Sequence, residues 1–168
     1  MSRRRQSARP PLLVAIAVLA LALGGCSTAV ATPAPSAGIV REDLGSTLAA
    51  TAAGQRLGLW HYTIPAGTAL APHRHPGWQV ARIVAGTLDY TIIAGQASVI
   101  RANGSTETHG AGETVVLATG DSVVENPDLE HFGANKGSVT VEIYTASLFQ
   151  DGQPPAIPLT APTPSPSS

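Results

Sequence analysis

Short β-rich runs separated by turn signals recur along most of this 168-residue chain. Val, Ile, Thr and aromatic residues favour strands, and runs such as LGLWHYTI at residues 57–64 stop at Gly, Pro or Asn pairs. Many short strands at regular spacing predict an all-β sandwich or barrel. The remaining predicted strands cover residues 79–84, 87–93, 97–101, 114–118, 122–125 and 139–149.

Few segments depart from this β pattern. Residues 41–53 are Ala-rich and form the only helical candidate after the N-terminal region, while Asn103-Gly104 predicts a hairpin turn. Both ends of the chain are rich in Ala, Pro, Ser and Thr, a composition that buries too little apolar surface to offset chain entropy. We therefore expect one folded domain over residues 39–150 and a flexible, disordered tail over residues 151–168.

The first 25 residues have the features of an export signal. Four arginines lie within the first nine residues, and an apolar run of 12 residues follows at 12–23. A helix that spans a bilayer needs about 20 apolar residues, whereas the core of a signal peptide is shorter. Residues 1–25 are therefore predicted to be a signal peptide, and its three consecutive arginines weakly resemble a twin-arginine signal.

The segment Leu23-Gly24-Gly25-Cys26 resembles the lipobox of bacterial lipoproteins. The resemblance implies lipidation of Cys26, a tether over residues 26–38, and a location on the extracytoplasmic face of the cell membrane. The alternative is an ordinary cleavage site with an incidental cysteine. Because Cys26 is the only cysteine of the chain, an internal disulfide is excluded.

The charge balance argues against a nucleic-acid surface. Without residues 1–25 the chain keeps six basic and 11 acidic residues, which gives a net charge of −5. Its five remaining arginines and single lysine are scattered, whereas nucleic-acid surfaces cluster such residues. We expect no nucleic-acid partner.

Histidines supply the clearest chemical signal. His73 and His75 lie two positions apart, so in a strand both rings point to the same face. Gln79 has the same parity, and His131 is distant enough in sequence to belong to another strand. Imidazole suits Zn, Cu, Fe and Ni, so the pattern predicts a site for a divalent transition metal.

The spacing of these residues resembles both signature segments of the cupin superfamily. The first segment runs from Gly67 through His73, His75 and Gln79 to Gly86, and the second runs from Gly120 through Asn126-Pro127-Asp128 and His131 to Asn135. The resemblance implies a cupin-type β-barrel, also described as a double-stranded β-helix or jelly roll. It further implies metal ligation by the three histidines and Gln79, a small-molecule ligand or substrate, and a homodimer.

Three positions depart from the usual cupin pattern. Gln79 replaces a glutamate ligand, Asn126 replaces a proline and Asp128 replaces a glycine. Gln79 matters most, because an amide oxygen removes one negative charge from the site and favours Cu²⁺, Ni²⁺ and Zn²⁺ over harder ions. Direct ligation by Gln79 and a hydrogen bond to a metal-bound water both remain open.

Other side chains receive weaker assignments. His61 and Tyr90 are candidates for lining the pocket, although a surface or packing role is the simpler expectation for His61. Trp60 and Trp78 either line the pocket or pack between sheets, and Arg82 is expected on the face opposite Gln79. His109 is interpreted as a solvated loop residue. A solvated acidic surface is predicted for Glu113, Glu125, Glu130 and Glu142.

Two functions remain open, because a fold does not decide an activity. The first is a binding lipoprotein that captures a metal or a small ligand without chemistry, and the absence of a catalytic carboxylate from the matched positions favours it. The second is a metal-dependent enzyme of the cell surface, such as a dioxygenase-type cupin.

Overall fold

The computed structural model describes residues 38–159, which contain twelve β-strands and no helix. No helix that could cross a membrane is found within this range. The predicted signal peptide, Cys26 and residues 160–168 lie outside the described residues. The strands are β1 (Val40–Leu48), β2 (Gln55–Ile64), β3 (His73–Arg74), β4 (Gly77–Ala85), β5 (Thr87–Ala94), β6 (Gln96–Ile100), β7 (Thr106–Gly110), β8 (Thr114–Ala118), β9 (Ser122–Glu125), β10 (Glu130–Ala134), β11 (Val141–Gln150) and β12 (Ile157–Pro158).

The strands form two antiparallel sheets of the jelly-roll type. The seven-stranded sheet has the order β1-β2-β11-β4-β9-β6-β7, and the five-stranded sheet has the order β12-β3-β10-β5-β8. Strands that are distant in sequence lie side by side, such as β2 with β11 and β4 with β9. The predicted all-β fold is confirmed.

Alternation along the strands creates the core between the two sheets. In β4 and β11 every second residue is buried over most of the strand, as expected for sheets with one covered face. Ile83, Leu117 and Val123 are each 1% exposed and belong to one cluster of buried apolar side chains. His73 on β3 and His75 directly after it line the same cavity as these apolar side chains.

Two glycines of the first signature have the backbone conformation that turns require. Gly67 and Gly86 have φ values of 72° and 76°, in the region that side chains with a Cβ rarely adopt. At Gly86 a Cβ atom would also lie 2.7 Å from the carbonyl oxygen of Thr140. The β4–β5 turn therefore tolerates no other residue without strain.

Asp121 links the ends of β6 and β8 to the start of β9, close to the β4–β5 turn. Its carboxylate accepts hydrogen bonds from the N–H groups of Ala102 and Ala118, at 2.9 and 3.0 Å, and from the guanidinium of Arg101 at 2.9 Å. Burial acts to raise the pKa of Asp121, but these donors outweigh it and lower the pKa below its usual value.

Residues 41–53 are not helical, so the helix prediction is wrong. Residues 40–48 form β1, which pairs with β2 with a bulge between Asp43 and Gly45, and a turn at residues 49–54 closes the hairpin. Helix propensity is a weak preference, and the backbone hydrogen bonds to β2 override it here. The interpretation of His109 as a loop residue also fails, because it lies in β7, which pairs with β6 around the predicted Asn103-Gly104 turn.

The folded domain extends beyond residue 150. Residues 151–159 were predicted to be part of a disordered tail, but Ile157 and Pro158 form β12 and pair with β3. The composition of this segment is poor in core-forming side chains, so its order depends on backbone pairing with β3 rather than on its own hydrophobic pattern.

Candidate metal centre

Three histidines converge in the interior of the barrel. His73 lies on β3, His75 follows directly after it, and His131 on β10 is the cross-strand neighbour of His73. One nitrogen from each ring lies within 4.8 Å of the other two, and the residues are only 8%, 5% and 3% exposed. The structure therefore brings together the three imidazoles that the sequence motif predicts.

Backbone carbonyls hold two of the rings in a defined orientation. The Nδ1 of His73 lies 2.8 Å from the oxygen of Ala71, and the Nδ1 of His75 lies 2.6 Å from the oxygen of Pro155. A carbonyl oxygen can only accept, so Nδ1 carries the proton in both rings. The Nε2 atoms are left for the cluster, which is the arrangement that proteins use to orient histidine ligands.

A carboxylate that the sequence prediction missed lies in the middle of this cluster. Glu125 at the end of β9 is 2% exposed, whereas it was predicted to belong to a solvated acidic surface. Its Oε2 lies 3.1 Å from Nε2 of His75, and its Oε1 lies 3.5 Å from Nε2 of His131. The prediction for Glu125 is wrong because β9 points it inward, on the same face as the buried Val123.

Gln79 and Glu125 are direct cross-strand neighbours on β4 and β9. The amide Nε2 of Gln79 donates to Oε2 of Glu125 at 2.7 Å and lies 3.3 Å from Nε2 of His75. Its Oε1 has no hydrogen-bond partner among residues 38–159. The negative charge that Gln79 lacks is thus present on the neighbouring strand.

Tyr90 supports both the carboxylate and one of the histidines. Its hydroxyl donates to Oε1 of Glu125 at 2.9 Å, and its ring stacks on His131 with centroids 4.8 Å apart. Burial, followed by the charge of Glu125, raises the pKa of Tyr90 well above its ordinary value. Tyr90 therefore stays protonated and acts as a hydrogen-bond donor.

The protonation states follow from burial and from Glu125. Burial lowers the pKa of His131 to about 4 and also lowers the pKa of His73. Burial acts to lower the pKa of His75, but its hydrogen bond and attraction to Glu125 raise it overall. Burial acts in turn to raise the pKa of Glu125, and the histidines outweigh it and lower the pKa to about 2. Glu125 therefore favours the protonated form of His75, whereas burial favours the neutral forms of His73 and His131.

The cluster opens onto an apolar cavity of about 260 Å³. Tyr90 lines this cavity, as the sequence prediction suggested, and so does Thr145. The rest of the wall is largely aliphatic and includes Ile64, Leu70, Ile83, Leu88, Leu117 and Ile143.

Several other candidates lie away from the cavity. His61 is on the opposite face of β2, stacked on Tyr144 and 3.7 Å from the carboxylates of both Glu42 and Glu142. Trp78 is 55% exposed on the outer face, so it neither lines the pocket nor packs between the sheets. Trp60 donates to the hydroxyl of Ser147, and Arg82 is exposed on the face opposite Gln79, as its parity predicts.

The inward orientation of Glu125 could be predicted only in part from the sequence. Val123 and Glu125 are two positions apart on a predicted strand, so an inward Val123 implies an inward Glu125. The sequence could not show which face of this strand is buried. A strand of four residues that ends in a charged side chain has no clear alternation of apolar and polar residues. The pairing with Gln79 depends on strand order, which no local pattern contains.

Comparison with solved structures identifies the fold. A cupin 2 domain-containing protein from Halorhodospira halophila superposes with a TM-score of 0.50 and 16% identity, over 76% of this chain and 74% of its own. A cupin superfamily protein from Desulfitobacterium hafniense gives 0.48 and 12% identity, over 70% and 84%. An oxalate oxidase in complex with the substrate analogue glycolate gives 0.43 and 17% identity, over 58% of this chain and 44% of its own length. No family model and no curated protein matches the sequence.

The chain therefore has the fold of the cupin superfamily, as its two signature segments imply. At these identities the similarity shows the fold alone, and the chain spans less than half of the oxalate oxidase. The function of this protein therefore depends on the chemistry of its own residues.

Proposed function

We propose that this protein binds one divalent transition metal through His73, His75, His131 and Glu125, next to a pocket for a small organic ligand. The observation that carries the proposal is the convergence of three imidazoles on a buried carboxylate, with two of the rings fixed through Nδ1. Three nitrogen donors and one carboxylate oxygen form a donor set that suits Zn, Cu, Ni or Fe.

The energetics of the cluster favour a bound cation over a purely structural role. A buried carboxylate needs a compensating charge, and no lysine or arginine of residues 38–159 lines the cavity around Glu125. A divalent cation at the centre would supply this charge and would also occupy the Nε2 lone pairs of His73, His75 and His131. Glu125, rather than Gln79, would then supply the negative charge, and Gln79 would orient the carboxylate.

The cavity indicates the kind of ligand. Its aliphatic wall offers few polar partners, whereas Thr145, Tyr90 and the metal cluster are polar. A compact ligand with an apolar body and one oxygen donor directed at the metal fits this distribution, and sugars with many hydroxyl groups do not. The volume of about 260 Å³ restricts the ligand to a small molecule.

Binding without turnover agrees better with the electrostatics than acid–base catalysis does. A general base works best when its pKa lies near the working pH, and the pKa of Glu125 is lowered to about 2. A metal-dependent enzyme, such as a dioxygenase-type cupin, is the second candidate. The cavity beside the cluster favours it, because a substrate could reach a metal that acts as a Lewis acid or redox centre.

The proposal extends to the location of the protein. The signal peptide at residues 1–25 would direct export, and lipidation of Cys26 would anchor the domain at the extracytoplasmic face of the cell membrane. The Cys26→Ser substitution should then release the protein from the membrane fraction. Retention of this variant in the membrane fraction would contradict the lipid anchor.

We also propose a homodimer. The outer face of the seven-stranded sheet exposes neighbouring apolar side chains of Leu57, Leu59, Trp78 and Val80, which are between 42% and 55% exposed. A second copy would cover such a surface and could relieve the exposed edge of β1. Sedimentation that shows only monomer at high protein concentration would refute the dimer.

Metal analysis tests the central proposal. Protein purified without a metal-binding tag should contain about one equivalent of metal or should take up one equivalent of Zn²⁺ on titration. The His131→Ala variant should lose this binding, whereas His109→Ala, which changes a histidine outside the cluster, should retain it. Equal metal content in both variants would contradict the proposal. Oxygen uptake with a panel of phenolic and acidic substrates would favour the enzyme over the binding protein.

A further inference from the structure

The C-terminal residues 152–159, hereafter the strap, cross the barrel next to the histidine cluster. Ile157 pairs with Arg74 and Pro158 pairs with His73. The N–H of Leu159 donates to the oxygen of Pro72 at 3.1 Å. The strap is thus attached to the strand that carries a predicted metal ligand.

The strap also contacts a second predicted ligand directly. The carbonyl oxygen of Pro155 accepts the Nδ1–H of His75 at 2.6 Å, across 80 residues of sequence. The ring of His75 stacks on Phe149, with centroids 5.4 Å apart and an angle of 10° between the planes. Phe149 defines the plane of the ring, while the oxygen of Pro155 selects which nitrogen carries the proton and therefore which one faces the cluster.

The composition of the strap suits a rigid positioning role. Pro154, Pro155 and Pro158 restrict the backbone to extended conformations, so little further entropy is lost when the strap is held in place. Proline is tolerated in β12 because that strand lies at the edge of its sheet. The same residues that make the segment look disordered in sequence make it stiff when it pairs with β3.

Two residues of the strap form part of the cavity entrance. Ala156 and Pro158 line the cavity and are also exposed, so they lie where the cavity meets the surface. Access of a ligand to the cluster therefore passes next to the strap.

We propose that the strap is a positioning element of the metal centre. It keeps Nε2 of His75 directed at the shared ion through the carbonyl of Pro155, and it forms one wall of the ligand entrance. This inference rests on the proposed metal binding. Loss of a group that orients a histidine ligand typically weakens metal binding by about 10- to 100-fold.

Two proteins that are shortened at the C-terminus provide a matched comparison. A protein that ends at Leu159 keeps the whole strap, whereas a protein that ends at Gln153 lacks residues 154–159, which make all the contacts described above. We expect the Zn²⁺ affinity of the first to equal that of the full chain, and that of the second to be lower by about 10- to 100-fold in competition with a chromophoric chelator. Equal affinities of the two proteins would overturn the inference.

The ring of His75 provides a readout that needs no metal. In ¹⁵N NMR spectra of the metal-free protein at high pH, where the ring is neutral, His75 should carry its proton on Nδ1 when the strap is present. It should become a mixture of tautomers in the protein that ends at Gln153. An unchanged His75 signal would overturn the strap's role even if Zn²⁺ binding fell. Failure of the full chain to bind metal would instead refute the proposed function, while the NMR comparison would still test the strap.

A full-length pair of variants covers the case in which the shortened chain does not fold. Leu159→Pro removes the N–H that bonds to Pro72, whereas Leu159→Ala keeps it. One lost hydrogen bond should weaken Zn²⁺ binding by about 5-fold relative to Leu159→Ala and shift the His75 tautomer in the same direction. Identical affinity and identical His75 spectra in the two variants would overturn the inference.

Discussion

Replacing Glu125 by glutamine removes one charge from the centre of the cluster and leaves its shape almost unchanged. The carboxylate accepts hydrogen bonds from Gln79 and Tyr90 and lies 3.1 Å from Nε2 of His75. A glutamine can keep one acceptor, and Gln79 can rotate its amide to offer Oε1, which has no partner among residues 38–159. The neutral part of the network therefore survives, and the substitution mainly tests the charge.

The expected changes in stability and in Zn²⁺ affinity follow from the charge that Glu125→Gln removes. With a neutral glutamine at position 125, His75 no longer has a buried carboxylate that favours its charged form, so no unpaired buried charge has to remain. The metal-free protein should lose about 1–3 kcal/mol of unfolding free energy, the range for an impaired hydrogen bond to a charged group. Two unit charges 4 Å apart interact by about 4 kcal/mol at an effective dielectric of 20. Because a glutamine still offers an amide oxygen to the metal, only part of this attraction is lost, and we expect Zn²⁺ binding to weaken by about 100-fold.

A charge exchange between the paired strands provides the control. The double variant Gln79→Glu with Glu125→Gln returns one carboxylate to the cross-strand position, and we expect it to recover at least about 10-fold of the lost affinity, one step of 1.4 kcal/mol. Zn²⁺ affinity is measured by chelator competition, and stability by urea unfolding in the presence of a chelator. If the Glu125→Gln protein binds Zn²⁺ within about threefold of the original protein, a change below 1 kcal/mol, Glu125 does not hold the metal.

Two further predictions concern the scaffold. Gly86→Ala should cost about 1–3 kcal/mol more than Gly104→Ala, because both glycines have positive φ but only the first lacks space for a Cβ atom; equal costs in urea unfolding would contradict the clash. Asp121→Asn should cost about 1.5–3 kcal/mol at pH 7, because the carboxylate accepts three hydrogen bonds. Since folding lowers the pKa of Asp121, its charge stabilises the protein above the unfolded pKa, and this contribution declines below about pH 5. The difference between the two proteins should therefore be smaller at pH 3 than at pH 7, and a constant difference would refute the assignment.

Local patterns in the sequence were sufficient for the fold class and for three of the cluster residues. Strand propensities and turn dipeptides predict an all-β protein because they depend on neighbouring residues only. The spacing of His73, His75 and His131 predicts a shared site because strand parity places the first two on one face. The resemblance to the cupin signatures assigned His131 to the same site.

Local patterns failed where pairing between distant strands decides the outcome. Residues 41–53 resemble a helix, yet hydrogen bonds to β2 make residues 40–48 a strand. Residues 152–159 resemble a disordered tail, yet pairing with β3 orders them and brings the oxygen of Pro155 to His75. Neither result is contained in the composition of the segment, because each depends on a partner elsewhere in the chain.

The sequence by itself determined that this protein is an all-β domain with three histidines at the spacing of a metal site. Only the tertiary structure decided that Glu125 supplies the charge that Gln79 lacks, and that the C-terminal strap orients His75. The physical reason is that side-chain parity is a property of one strand, whereas register and burial are properties of the assembled sheets. A carboxylate at position 79 on β4 or at position 125 on β9 would give the site the same net charge.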